Sequence, residues 1–252
     1  MLIRITPSIV PNLLTLGNLF SGFASIVSIS NSDYKSATLY IFAALLFDTF
    51  DGIAARLIGA TSELGAQLDS LCDVVSFGIA PSYLLYQYHL YQYGNLGLLL
   101  ASLPALFGAI RLARFNAMLD SFEDKIYFTG FPIPSSAITI FSYIYFLSLK
   151  NLIPAELDKA LLIAIPVAVS LAMVSNVKCS NIPRPSICDI KARPILAFLF
   201  VIAITSSIIT EGKAIFFVMA LYLILSSIKH LILYIKTFSV EDEIDEQWND
   251  TQ

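Results

Sequence analysis

The stretch DTFDGIAARLIGATSELGAQLDSLCD, residues 48–73, places four aspartates within or at the ends of two apolar segments. Asp48 and Asp51 are three residues apart, and Asp69 and Asp73 are four apart, so each pair projects from one face of a helix. An aspartate near the middle of a membrane helix costs about 2.5–3.5 kcal/mol on insertion scales. Four such residues therefore need a compensating partner.

The composition around this stretch is that of a membrane protein. Of 252 residues, 57% are hydrophobic and 13% are charged, which is about half the charge of a soluble domain. Six of the 19 acidic residues lie in the last twelve positions, so the rest of the chain has 13 acids against 15 bases. The sequence has no basic stripe and no long polar tract, which disfavours nucleic-acid binding and disorder.

Eight apolar stretches are long enough to cross a bilayer as helices. They cover 13–31, 36–58, 64–87, 94–116, 131–149, 159–177, 194–210 and 213–236. The sequence therefore predicts an all-α polytopic membrane protein, with six or seven spans as alternatives. If the N-terminus is cytoplasmic, eleven Lys and Arg residues fall inside and four outside. This asymmetry predicts that both termini are cytoplasmic.

A metal site is the first explanation for the four aspartates. The residues between Asp51 and Asp69 include Gly59, Ala60, Thr61 and Ser62, enough for a turn and an antiparallel return. The carboxylates can then converge, and their excess negative charge favours Mg²⁺, Mn²⁺ or Ca²⁺ rather than zinc. Two such ions are the usual arrangement for phosphoryl chemistry. An ion or proton pathway is the alternative, because transporters also place carboxylates inside bundles.

Neighbouring residues favour a phosphate-bearing ligand. Gly52 and Gly65 leave room for a ligand beside the helix backbone, and Arg56 can bind a diphosphate with two hydrogen bonds. The alternatives are close helix packing for the glycines and a cytoplasmic helix end for the arginine.

Together these residues read D-x2-D-G-x2-A-R-x8-G-x3-D-x3-D from Asp48 to Asp73. This pattern resembles the signature of the CDP-alcohol phosphotransferases, integral membrane enzymes that make phospholipids from CDP-linked precursors, with all eight specified residues matching. Three further segments resemble the phosphatidylserine synthase branch of the family. They are PNLLTLGNLFSGF at 11–23, RLARFN at 111–116 and GFPIPSSA at 130–137.

The resemblance implies a domain organisation. Residues 1–177 would form the six-helix catalytic membrane core of the family, with the signature at 48–73. A basic, proline-containing cytoplasmic loop at 178–193 would follow, then two additional transmembrane helices at 194–238 and an acidic tail at 239–252.

The resemblance also implies residue roles. Asp48, Asp51 and Asp69 would bind two divalent cations, Mg²⁺ or Mn²⁺, with Ca²⁺ as a non-productive substitute. Asp73 would contact the second ion and act as the general base. The residues expected against the CDP-lipid are Asn12, Thr15, Gly52, Ala55, Arg56, Ser62 and Gly65.

The implied substrates are CDP-diacylglycerol, or its archaeal equivalent, and L-serine. Glycerol 3-phosphate or inositol phosphate is the alternative acceptor. Arg111 and Arg114, with Asn116 and Ser135, are the candidate serine-binding residues. Membrane anchoring by the arginines and helix capping by Ser135 are the alternatives. We expect the active site to face the cytoplasm in the cell membrane, and a homodimer is left open.

Overall fold

The computed structural model describes residues 8–59, 62–120, 130–175, 210, 212–225 and 228. Within these ranges the chain forms helices and turns and no strands. The α-helices are α1 Ile9–Ser30, α2 Tyr34–Ile58, α3 Glu63–Asp73, α4 Ala80–Tyr88, α5 Gly94–Asp120, α6 Ile133–Ser142, α7 Ala155–Val174 and α8 Lys213–Leu225. Two π-helical segments, Val74–Ile79 and Tyr143–Ser148, follow α3 and α6, and a 3₁₀ turn, Leu90–Tyr93, precedes α5. The predicted all-α class is confirmed.

Several of these helices are membrane spans by length and composition. Four described segments are long and apolar enough to cross a bilayer, namely Ile9–Ser30, Glu63–Tyr88, Leu90–Ala117 and Ala155–Val174, and two shorter apolar helices are Ile133–Ser148 and Lys213–Leu225. The chain is therefore a multi-pass membrane protein. Each of the six predicted spans up to residue 177 coincides with a helical segment. Residues 194–209 of the seventh predicted span lie outside the described residues, and the eighth span, 213–236, is described only in part, so the number eight stays a prediction.

Local sequence signals set the ends of α2 and α3. The Asp33 carboxylate accepts a hydrogen bond from the Ser36 N–H at 3.1 Å and caps the start of α2. The Ser36 side chain and N–H beside it hold the pKa of Asp33 below its ordinary value of 3.8. Gly59 ends α2 in the left-handed region with φ of 65°. The Ser62 hydroxyl then caps α3.

Helices α1 and α2 form an antiparallel pair. The Ser25 hydroxyl donates to the Ala37 carbonyl oxygen at 3.0 Å, a Cβ at Gly17 would meet the Phe47 ring at 3.0 Å, and Thr15 contacts Asp51. In these three contacts the residue numbers decrease along α1 as they increase along α2, so the two helices run in opposite directions. The second half of the aspartate signature returns on α3 beside the start of α1, as the predicted turn requires.

Alternating helix directions bring several helix ends together. The start of α1 meets the start of α3 where a Cβ at Gly65 would lie 3.5 Å from the Asn12 Oδ1. The end of α5 reaches α3 through a hydrogen bond between Asn116 and Ser70. We call this the aspartate end of the bundle. At the opposite end, hydroxyl donors on Tyr143 and Ser148 hold Asp158 at the start of α7.

Candidate active site

Three aspartates form a compact oxygen cluster at the aspartate end. One carboxylate oxygen from each of Asp48, Asp51 and Asp69 lies within 4.8 Å of the other two. Asp51 is buried and the other two are partly buried. Asp51 Oδ2 and Asp69 Oδ1 are buried with no hydrogen-bond partner in the part of the chain that the structure describes. Buried, unsatisfied carboxylate oxygens are ligands that hard divalent cations prefer, so the residues present fit a metal ion.

The fourth aspartate lies beside this cluster rather than in it. Asp73 is one turn after Asp69 and is 7% exposed. Its Oδ1 accepts a hydrogen bond from Asn18 Nδ2 at 3.0 Å, and its side chain contacts Asp48. The structure therefore brings the four signature carboxylates together and gives Asp73 surroundings unlike those of the other three.

A cavity of about 310 Å³ opens next to the carboxylates, a volume at the lower end of the range for small-molecule sites. It is lined by Pro11, Asn12, Thr15, Asp51, Gly52, Ala55, Arg56, Ser62, Gly65, Ala66 and Asp69. All seven residues that the sequence assigned to the CDP-lipid lie on this wall. Pro11 and Ala66 are additional lining residues that the sequence analysis did not name.

Helix ends shape the wall of the cavity. Arg56 folds back along α2, where its Nε donates to the Gly52 carbonyl oxygen at 2.8 Å. The Ser62 hydroxyl accepts the Gly65 N–H at 3.0 Å, so Ser62 both caps α3 and lines the cavity. Because a helix N-terminus carries partial positive charge, the start of α3 and Arg56 together favour an anionic group in this space.

Comparison with the sequence models of known families identifies the family of this chain. The sequence model for CDP-alcohol phosphatidyltransferases matches residues 8–174, more than half of the chain. The chain belongs to this family. Its members generally use divalent metal ions, and the cluster of Asp48, Asp51 and Asp69 offers the oxygen ligands for one.

The chain is also similar to proteins whose names state an activity. The Helicobacter pylori (strain ATCC 700392 / 26695) CDP-diacylglycerol–serine O-phosphatidyltransferase is 34% identical over 226 residues, covering 90% of this chain and 92% of that protein. The Bacillus subtilis (strain 168) protein of the same name is 38% identical over 138 residues, 54% of this chain and 76% of that one. Archaetidylserine synthase of Methanothermobacter thermautotrophicus is 35% identical over 170 residues, 67% of this chain and 68% of that one.

None of the four candidate serine-binding residues lines this cavity. Asn116 Nδ2 donates to the Ser70 Oγ at 3.1 Å. Arg114 Nη1 donates to the Val174 carbonyl oxygen at 3.2 Å, at the end of α7. Arg111 is partly buried one turn earlier on α5, and Ser135 is buried in the first turn of α6. Their role in acceptor binding stays a prediction.

Sequence reasoning missed Asn18, although the signal was available. The buried positions of α1 include Pro11, Thr15, Asn18, Gly22 and Ser25, which recur every three or four residues. In a helix whose other faces are apolar, such a stripe of small and polar residues marks the side that packs on other helices. Asn18 is the largest polar side chain of that stripe and is fully buried.

Proposed function

We propose that this protein transfers the phosphatidyl group of CDP-diacylglycerol, or of an archaeal CDP-lipid, to the hydroxyl of L-serine, giving phosphatidylserine and CMP. The observation that carries the proposal is the set of three aspartate oxygens within 4.8 Å of one another, beside a cavity lined by Arg56. The names and similarity of the bacterial and archaeal relatives support serine as the acceptor.

The donor would bind with its diphosphate in the cavity. Arg56 supplies a planar, permanently charged donor group suited to phosphate oxygens. Gly52 supports close approach, because among the described residues a Cβ there would meet only the Arg56 Nη2, at 3.9 Å. Asn12, Thr15, Ala55, Ser62 and Gly65 complete the proposed nucleotide contacts along the same wall.

Asp48, Asp51 and Asp69 would hold the metal, with Asp73 at the second of two ions. Mg²⁺ or Mn²⁺ is the proposed cofactor, with Ca²⁺ binding without supporting turnover. When bound, such ions supply Lewis acidity and neutralise the charge of a diphosphate. Without them the four neighbouring carboxylates would repel one another and any anionic ligand.

Asp73 would act as the general base. A serine hydroxyl is a poor nucleophile until its proton is removed, and a positioned carboxylate can accept that proton. The proton passes to Asp73 as the serine oxygen bonds to the phosphorus next to the diacylglycerol. The bond from that phosphorus to the bridging oxygen breaks, and CMP leaves with the electron pair.

The orientation of the protein in the membrane is part of the same proposal. We place the aspartate end and both termini on the cytoplasmic side, because the Lys and Arg residues are concentrated there by an eleven-to-four count. Residues 1–177 form the proposed catalytic core, 178–193 the basic loop, 194–238 two added helices and 239–252 the tail. The proposal includes a homodimer as one assembly state, which the mass of the detergent-solubilised protein tests.

A turnover assay of purified protein tests the activity. CDP-diacylglycerol is supplied with serine, glycerol 3-phosphate or inositol phosphate in turn, with and without Mg²⁺ or Mn²⁺. CMP release with serine and metal alone supports the proposal, and release with another acceptor reassigns the substrate. If no acceptor gives CMP and the reconstituted protein moves protons or cations across liposomes, the carboxylates serve transport instead.

The Asp73→Asn variant tests the general base. We expect loss of turnover with retained binding of CDP in the presence of Mn²⁺, because the amide keeps the shape of the side chain and cannot accept the proton. Turnover close to that of the wild type would remove Asp73 from this role.

A further inference from the structure

We propose that Asn18 is a positioning residue, which holds the Asp73 carboxylate in the orientation that accepts the proton of the acceptor hydroxyl. The inference rests on the proposed function and adds a residue outside the 48–73 signature. Asn18 lies on α1, 55 positions before Asp73 in sequence.

The contact between the two side chains is direct and buried. Asn18 is 0% exposed and Asp73 is 7% exposed. Asn18 Nδ2 donates to Asp73 Oδ1 at 3.0 Å, the usual length for such a bond. The bond restrains rotation of the Asp73 carboxylate. The Asn18 amide thus helps to set the direction in which the carboxylate oxygens face.

The backbone around Asn18 is anchored to the same helix as Asp73. The Ser76 hydroxyl donates to the Asn18 carbonyl oxygen at 3.0 Å. One turn further along α1, a Cβ at Gly22 would lie only 2.7 Å from the Ser76 Cα, so the two backbones touch. The π-helical segment begins at Val74, directly after Asp73. These contacts fix the position of α1 relative to Asp73.

The unsatisfied half of the Asn18 amide argues against a packing role. Asn18 Oδ1 is buried with no hydrogen-bond partner among the described residues, and burying such an atom is destabilising. A leucine of similar length would fill the space without that cost. An asparagine here is therefore explained by what its N–H group does for Asp73 and not by stability.

Interhelical polar contacts in membrane bundles can also act only as weak structural links. Ser25 provides the matched comparison. It lies two turns beyond Asn18 on the same helix, is equally buried, and donates across to the Ala37 carbonyl oxygen at 3.0 Å. Among the described residues, no hydrogen bond joins Ser25 to any of the four aspartates.

The test compares Asn18→Leu with wild type and with Ser25→Ala, each purified and shown to be monodisperse. For Asn18→Leu we expect kcat to fall by about 10- to 100-fold, the range for losing an outer hydrogen-bond partner. The KM for CDP-diacylglycerol and the calorimetric affinity for CDP with MnCl₂ should stay within threefold of wild type. Ser25→Ala should keep wild-type kcat and lose only thermal stability.

Two results would overturn the inference. A kcat for Asn18→Leu within threefold of wild type would show that the amide does not orient the base. Loss of CDP and Mn²⁺ binding in parallel with turnover would make Asn18 a ligand-binding or structural residue. If Asn18→Leu does not fold, Asn18→Ala is judged by the same criteria, because it removes the amide without adding volume.

The outcome is separable from that of the proposed function. If the wild type releases CMP with another acceptor, serine specificity fails, and kcat of the Asn18 variants is compared with that acceptor. If the wild type releases CMP with none, the general-base role and this inference both fail, while the CDP and Mn²⁺ titrations still show whether the cavity binds nucleotide.

Discussion

Arg56 Nε donates a hydrogen bond to the Gly52 carbonyl oxygen at 2.8 Å, one turn back on the same helix. The bond holds the guanidinium against α2, at the wall of the cavity that both residues line. An arginine held in this way would lose less side-chain entropy on binding a phosphate.

Replacement of Arg56 by lysine should therefore be costly although the charge is kept. We expect Arg56→Lys to raise the KM for CDP-diacylglycerol at least tenfold, because the planar fork and the bond to Gly52 are lost. The KM for serine should change little. Steady-state kinetics in mixed micelles measures both, with Lys159→Ala, at the far end of the bundle, as the control. If the KM for CDP-diacylglycerol is the same in Arg56→Lys and wild type, Arg56 does not bind the donor.

Gly52→Ala separates ligand space from protein packing. Within the part of the chain that the structure describes, a methyl group there would meet only Arg56 Nη2, at 3.9 Å. Alanine also favours a helix over glycine by about 0.5–1 kcal/mol. We expect an unchanged or higher Tm and at least a tenfold weaker affinity for CDP in the presence of Mn²⁺, measured by calorimetry. Wild-type affinity would show that the nucleotide does not approach α2 here.

Gly22→Ala should show the opposite pattern. A Cβ at Gly22 would lie 2.7 Å from the Ser76 Cα and 2.8 Å from its Cβ, and backbone atoms cannot move aside as a flexible side chain can. Overpacking of this kind costs about 1–3 kcal/mol. We expect a lower Tm in thermal unfolding and reduced kcat, because α1 would be displaced from the helix that carries Asp73. A Tm equal to that of wild type would contradict the close contact.

The positions of the helices and of the aspartate site were accessible from sequence for a physical reason, whereas the cavity-wall residues were assigned from the family resemblance. Charge is so expensive in an apolar helix that Asp48, Asp51, Asp69 and Asp73 mark a site without any structural information. The return of the chain from α2 to α3 then places the second pair beside the first. Cap residues such as Ser62 set the helix ends within a few positions of the predicted ones.

The details that sequence could not supply depend on contacts between distant segments. The π-helical segment after Asp73 has no local sequence signal that distinguishes it from ordinary helix, and its register is fixed by Ser76 against α1. The bond from Asn116 to Ser70 likewise joins residues 46 positions apart. Pairings of this kind follow from how the helices pack, which periodicity alone does not determine.

Metal binding should stabilise the protein by relieving repulsion among Asp48, Asp51 and Asp69. Addition of MnCl₂ to EDTA-treated protein should raise the Tm, with a stabilisation of about 2.7 kcal/mol at a metal concentration 100 times Kd. In Asp69→Asn the metal-dependent rise should vanish, while the metal-free Tm should equal or exceed that of wild type because one repelling charge is gone. A wild-type response to MnCl₂ in this variant would remove Asp69 from the ligand set.

Arg111 and Arg114 are both candidates for binding the serine carboxylate. Arg114 Nη1 donates to the Val174 carbonyl oxygen at the end of α7, so Arg114→Ala should lower the Tm as well as any affinity for the acceptor. Arg111→Ala should raise the KM for serine at least tenfold and leave the KM for CDP-diacylglycerol unchanged, as expected for a guanidinium that binds the serine carboxylate. Kinetics with each substrate varied in turn, together with thermal unfolding, separates the two effects. If serine KM is unchanged in both variants, the arginines serve the membrane interface and the packing of α7, and the acceptor carboxylate is bound elsewhere.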